Sequence, residues 1–122
     1  MKFTNAALCT LLTTVSLYAV AEPVPPGQWL QTSSTTGDCS TCEVKITKIT
    51  PDILQLTSNN GWIGFAHYSP KEDKYRGAIQ WTSGKEDYEK VVMLVEMSYG
   101  KKVLTLNAKS TPLSFTSTYT LK

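Results

Sequence analysis

The amino-acid sequence predicts an all-β protein, a small antiparallel up-and-down barrel of about eight strands, and three observations lead there. Short runs rich in Val, Ile, Thr, Tyr and Trp recur along the chain, divided by clusters of Gly, Pro, Asn and Asp. Successive runs are only about 10 to 12 residues apart, which favours hairpins over crossovers. No segment keeps apolar residues at helical spacing over three turns. Closing such a meander into a barrel removes the edges that an open sheet of this size would expose. A β-sandwich is the alternative arrangement of the same strands.

The N-terminus is separate from that pattern. Lys2 precedes an apolar run from Ala6 to Val20, and Ala19-Val20-Ala21 stands before Glu22. A short basic region, an apolar stretch and small residues at its end are the parts of a secretory signal, here residues 1–21. The run falls short of the ~20 residues needed to span a bilayer, so no stable membrane insertion is expected after cleavage. The expected compartment is secreted or periplasmic. Cleavage removes Lys2 and Cys9 and leaves 101 of the 122 residues, enough for one domain. That domain spans 28–122. Before it, 22–27 reads as a proline-rich arm standing off the core, because Pro23, Pro25 and Pro26 lack backbone donors.

The strands follow in order. The first, Gln28 to Ser33, runs into the polar loop Ser34 to Asp38. The second and third, Glu43 to Thr50 and Ile53 to Ser58, are divided at Pro51-Asp52, where proline forbids a continuous central ladder. Asn59-Asn60-Gly61 then predicts a type I′ hairpin into the fourth strand, Trp62 to Tyr68. After the turn Ser69 to Asp73 comes the fifth, Lys74 to Thr82, in which Tyr75, Gly77, Ile79 and Trp81 share one face. Gly64 and Gly77 ease the coiling that a small barrel demands, and with Ala66 they make room for a ligand. Ser83 to Glu86 leads to the sixth strand, Tyr88 to Ser98. The seventh, Val103 to Ala108, follows a solvated turn at Lys101-Lys102, and Ser110-Thr111-Pro112 leads to the eighth, Leu113 to Leu121.

The sixth strand is apolar on both faces. With Val91, Met93, Val95 and Met97 inward, Val92 and Leu94 lie outside with Glu96 and need a cover or form a contact surface. The opposite phase puts Glu96 inside the barrel, where it would need a partner or a raised pKa.

Composition excludes some functions. The mature net charge of +1 gives no electrostatic case for a nucleic-acid partner. Cys39-Ser40-Thr41-Cys42 is the one mature cysteine pair, and export favours a structural disulfide. A redox role would want a helix N-terminus to lower the first thiol's pKa, whereas Glu43 to Ile46 continues as strand. Haem attachment needs His where Glu43 stands, and zinc needs ligands beyond the single histidine, His67. His67 has no nucleophile motif around it and reads as a surface or core-edge residue, so no catalytic residue, metal or cofactor is assigned.

Gly27-Gln28-Trp29, at the start of the first strand, resembles the Gly-x-Trp signature of lipocalins and their calycin relatives. That resemblance implies a Trp closing the base of an eight-stranded up-and-down barrel that holds a small apolar ligand or acts as an inhibitor. The same start, with one disulfide and an N-terminal arm, is also similar to small periplasmic inhibitors of secreted metalloproteases. There the arm enters the protease cleft, and Glu22, Pro23, Val24, Pro25 and Pro26 would be the arm. The leading expectation is an exported non-enzymatic binding protein for a small apolar ligand or a protein. Trp29, Trp62, Tyr75, Trp81, Met93 and Glu96 are the candidate ligand contacts. An inhibitor acting through the arm and a thiol–disulfide redox protein are the alternatives.

Overall fold

A computed structural model describes residues 23–82, 91–111 and 113–122. The expected signal with Cys9, the expected arm residue Glu22, the turn at Ser83 to Glu86, the start of the sixth strand at Tyr88, and Pro112 lie outside the described residues. Eight strands form: β1 (Gly27–Ser34), β2 (Glu43–Thr50), β3 (Ile53–Ser58), β4 (Trp62–Ser69), β5 (Lys74–Trp81), β6 (Val92–Gly100), β7 (Val103–Lys109) and β8 (Ser114–Leu121). Each pairs antiparallel with the next, and β8 returns to β1 through Trp29↔Leu121 and Gln31↔Tyr119, which closes the barrel. The sandwich alternative is thereby set aside.

Alternation along the strands decides what fills the interior. Val44 and Ile46, Leu54 and Leu56, Ile79, Met93, Val95 and Met97, and Leu104, Leu106 and Ala108 point inward and form one core. A small barrel filled by branched and unbranched aliphatic side chains of this kind has a packed middle. β6 takes the phase with Met93, Val95 and Met97 inside. Val92 and Leu94 are consequently exposed on the outer surface.

At Gly64 and Gly77 the facing backbone of β4 and β5 leaves no space for a side chain. A Cβ on Gly64 would lie 2.1 Å from the Ala78 carbonyl oxygen, and one on Gly77 1.8 Å from that of Phe65. They permit the coiling, as expected, but their missing side chains leave no room for a ligand, since neighbouring backbone occupies it.

Two turns differ from the sequence expectation. At Asn59-Asn60-Gly61 only Gly61 has a positive φ (106°), and its N–H meets the Ser58 carbonyl at 3.4 Å, so a three-residue loop forms and not a type I′ turn. The two-residue loop with positive φ at both positions is Lys101 (53°) and Lys102 (65°), between the paired residues Gly100 and Val103. The side chain of Asn59 explains the first case. Its Oδ1 accepts from the Glu43 N–H at 2.8 Å and its Nδ2 donates to the Thr41 carbonyl at 2.8 Å, so it serves the neighbouring loop.

Candidate functional site

The barrel has two unlike ends. At one end lie the segment 23–26, the start of β1 and the turns β2–β3, β4–β5 and β6–β7. Val24 is 1% exposed and belongs to the core. The expectation of an arm standing off the core is corrected there: its prolines keep the segment extended, but its valine turns into the barrel. Trp29 is fully buried, donates from Nε1 to the Pro25 carbonyl at 3.0 Å, and meets Tyr99 edge-on at 5.6 Å. Tyr99 and the Pro25 carbonyl hold this indole. Tyr75 packs on Tyr68 at 5.3 Å, and its hydroxyl is hydrogen-bonded to the backbone of Val24. Burial pushes the Tyr75 phenol above its ordinary pKa, against that hydrogen bond. This end is closed.

The other end carries a cavity of about 210 Å³. Trp62 and Trp81, a facing pair across β4 and β5, make one wall, and Phe115 and Tyr119 of β8 contribute to the other. Between them the inward positions Ser34, Ser58 and Ser117 are small and polar. Those serines, and not the glycines, leave the space. Ser117 Oγ donates to Ser34 Oγ at 2.9 Å, and Ser117 also bonds to Tyr119. Burial raises the Tyr119 phenol to about 12, so it stays a neutral donor at any physiological pH.

The rim is stapled. Cys39 and Cys42 form a disulfide (S–S 2.01 Å, Cα–Cα 5.4 Å), and Cys42 itself reaches the cavity. β2 begins at Glu43, immediately after the bridge, and Asn59 ties the loop to the β3–β4 turn. Among the described residues the only charged side chain in the lining is Glu43, whose Oε2 is engaged by Lys122 Nζ at 3.0 Å. The disulfide suits an oxidising, extracytoplasmic environment. Among the described residues no helix is long and apolar enough to cross a membrane.

The residues singled out from sequence thus separate into groups. Trp62 and Trp81 come together in the cavity wall. Trp29 and Tyr75 belong to the closed end, and Met93 is buried in the core between. Glu96, placed among the interior candidates, lies on the outer surface: Arg76 Nη2 donates to its Oε1 at 2.6 Å and Lys74 Nζ stands 3.6 Å from its Oε2. The Arg76 hydrogen bond, then the Lys74 charge, hold its pKa below the ordinary carboxylate range. The reason for the correction is the strand phase, which gives the interior to Met93, Val95 and Met97. His67 is exposed on the outside of β4. Sequence reasoning missed Phe115 and the three serines. Phe115, Ser117 and Tyr119 do alternate along the last strand, so β8 carried a signal, whereas Ser34 reads as the start of a loop and Ser58 as the last residue of a strand.

Comparison with known proteins adds no relative: no family model, no curated protein and no solved structure matches the chain. The closed eight-stranded barrel is compatible with a lipocalin-like fold.

Proposed function

We propose that the protein is an exported, non-enzymatic binding protein that holds one small, neutral, ring-sized apolar molecule in the open end of its barrel. The cavity between Trp62, Trp81, Phe115 and Tyr119 carries this reading. Its volume of about 210 Å³ exceeds the ~150 Å³ of a dry engineered cavity that takes up benzene. Its chemistry selects further. Aromatic walls favour a planar apolar body. The hydroxyls of Ser34, Ser117 and Tyr119 offer hydrogen bonds to one polar group, and an ionised ligand would lose hydration where the one charge of the described lining, Glu43, is already paired with Lys122. Pockets of this type bury an apolar body and fix it with a few placed polar groups.

Titration with p-cresol, cyclohexanol and benzoate tests this, followed by calorimetry and by the fluorescence of Trp62 and Trp81. p-Cresol should bind with a Kd on the order of 0.1 mM or tighter, a reasonable return for so few atoms. Cyclohexanol should bind more weakly and benzoate least. Ser117→Leu, which fills the cavity, should abolish the p-cresol signal in a protein that still melts cooperatively. Benzoate binding as well as p-cresol, or Ser117→Leu binding unchanged, would overturn the reading.

A further inference from the structure

β1 carries an irregularity beside the open-end cavity. Gln31 pairs with Tyr119 and Ser33 with Thr118, so β1 holds one extra residue against an unbroken β8. Thr32 and Ser33 are both exposed and share Thr118, whose Oγ1 they meet at 2.8 and 2.6 Å. The consequence falls on the inner side. Gln31 and Ser34 are three residues apart, which in a regular strand puts them on opposite faces, yet both line the cavity. A β-bulge re-aims side chains in this way, and bulges gather beside functional sites.

What the bulge brings to the lining is a carboxamide. The Gln31 backbone N–H donates to the Cys42 carbonyl at 2.9 Å, which ties the residue to the disulfide loop. Among the described residues no hydrogen bond engages its side chain. The serines beside it differ. Ser117 Oγ donates to Ser34 Oγ at 2.9 Å, and Ser34 Oγ is bonded in turn to Thr36 Oγ1 at 2.9 Å, so these hydroxyls already have partners in one another. Gln31 instead brings both donors and an acceptor, from a half-buried position directly across from Tyr119. A molecule that fills the cavity shuts this amide off from solvent and must itself supply its hydrogen bonds.

Resting on the binding function proposed above, we infer that Gln31 is the polar anchor of the cavity and that the molecule held there is a planar cyclic amide, paired with it edge to edge. A carboxamide presents an N–H and a C=O side by side, so its match is a partner presenting a C=O and an N–H at the same spacing. A carboxylic acid has such an edge but ionises at neutral pH, and its charge is not met in this cavity. An open secondary amide is trans and turns its N–H and C=O to opposite sides. A primary amide adds a second N–H hydrogen to be satisfied. Closing the amide into a small ring holds one N–H and one C=O cis on a single edge, in the plane of a flat body suited to the walls of Trp62, Trp81 and Phe115.

Calorimetric titration of the protein and of Gln31→Met with oxindole, N-methyloxindole and p-cresol tests the inference. Oxindole should bind the unaltered protein about tenfold more tightly than N-methyloxindole, which keeps the carbonyl and loses the donor. Gln31→Met keeps the length of the side chain and removes the amide. It should weaken oxindole about tenfold, so that the two oxindoles bind alike, and should change p-cresol by less than about twofold, since that hydroxyl goes to the serines and Tyr119. Thermal unfolding checks that Gln31→Met is folded, and a half-buried position suits that outcome. Binding of p-cresol with no preference between the two oxindoles, or a preference that survives in Gln31→Met, would overturn the role of Gln31 while the cavity reading stands. Failure of all these molecules to bind would remove the cavity reading and the cyclic-amide inference together.

Discussion

The two ends of this barrel use the same kind of residue for opposite purposes. At the closed end Trp29 packs on Tyr99 and Tyr75 on Tyr68, Val24 joins the same core, and the chain before β1 is tied to Trp29 through the Pro25 carbonyl. At the open end Trp62, Trp81, Phe115 and Tyr119 stand around a void, because the inward positions between them are serines. An aromatic side chain in a small barrel is therefore core or wall according to what lies between it and its neighbours. Two local features set the difference: one valine delivered from outside the sheet, and three inward hydroxyls.

The largest expected consequence is in stability. Trp29→Ala removes a fully buried indole from the closed end and should cost about 4 kcal/mol, measured from the urea midpoint at constant slope. Phe115→Ala at the open end enlarges a space that solvent already reaches, so it should cost only about 2 kcal/mol while abolishing ligand binding. Equal costs would mean that the open end is packed as tightly as the closed one, and the contrast would fail.

Much of this barrel is legible in the sequence because period-two alternation survives in nearly every strand. Tyr75, Gly77, Ile79 and Trp81 share the inner face as the spacing predicts, and Pro51-Asp52 divides β2 from β3. The illegible parts are those where one residue acts without a pattern. Val24 is a single apolar residue between prolines, so nothing periodic announces that it enters the core. Ser58 and Ser34 end their strands, where a serine ordinarily faces water, and only the closed barrel turns them inward. Asn60-Gly61 reads as a tight turn because the role of the preceding Asn59, bracing Glu43 and Thr41, is made across 16 and 18 residues of chain.

The rim sharpens the comparison at a smaller scale. Converting Cys39 and Cys42 together to Ser removes a bridge closing a very short loop, for which chain entropy supplies only about 2 kcal/mol. Its effect should be confined to the open end. Hydrogen exchange should rise in 35–42 and at Glu43, where the Asn59 bond loosens, and remain unchanged around Trp29. Binding of p-cresol should weaken several-fold, since Cys42 belongs to the lining. Faster exchange at both ends would show the disulfide supporting the whole barrel.

The smallest effect separates the ends by pH. Burial raises Tyr119 at the open end to about 12 and also raises Tyr75 at the closed end, so both bind their protons more tightly folded than unfolded. Above an unfolded pKa near 10 the unfolded chain releases these protons first, and stability falls as pH rises toward the folded value. Between about pH 9 and 11 the Tyr119 contribution amounts to about 1 kcal/mol, fully present at the lower pH and lost at the upper. Tyr119→Phe should remove that part of the slope and leave the part due to Tyr75. Cyclohexanol, which does not ionise in this range, dries the surroundings of Tyr119 further when bound beside it, which raises its pKa again and steepens the alkaline slope of the liganded protein. Tyr75, behind the Val24 plug, should not respond. A ligand-dependent slope that persists in Tyr119→Phe would place the bound molecule somewhere other than between the serines of the open end.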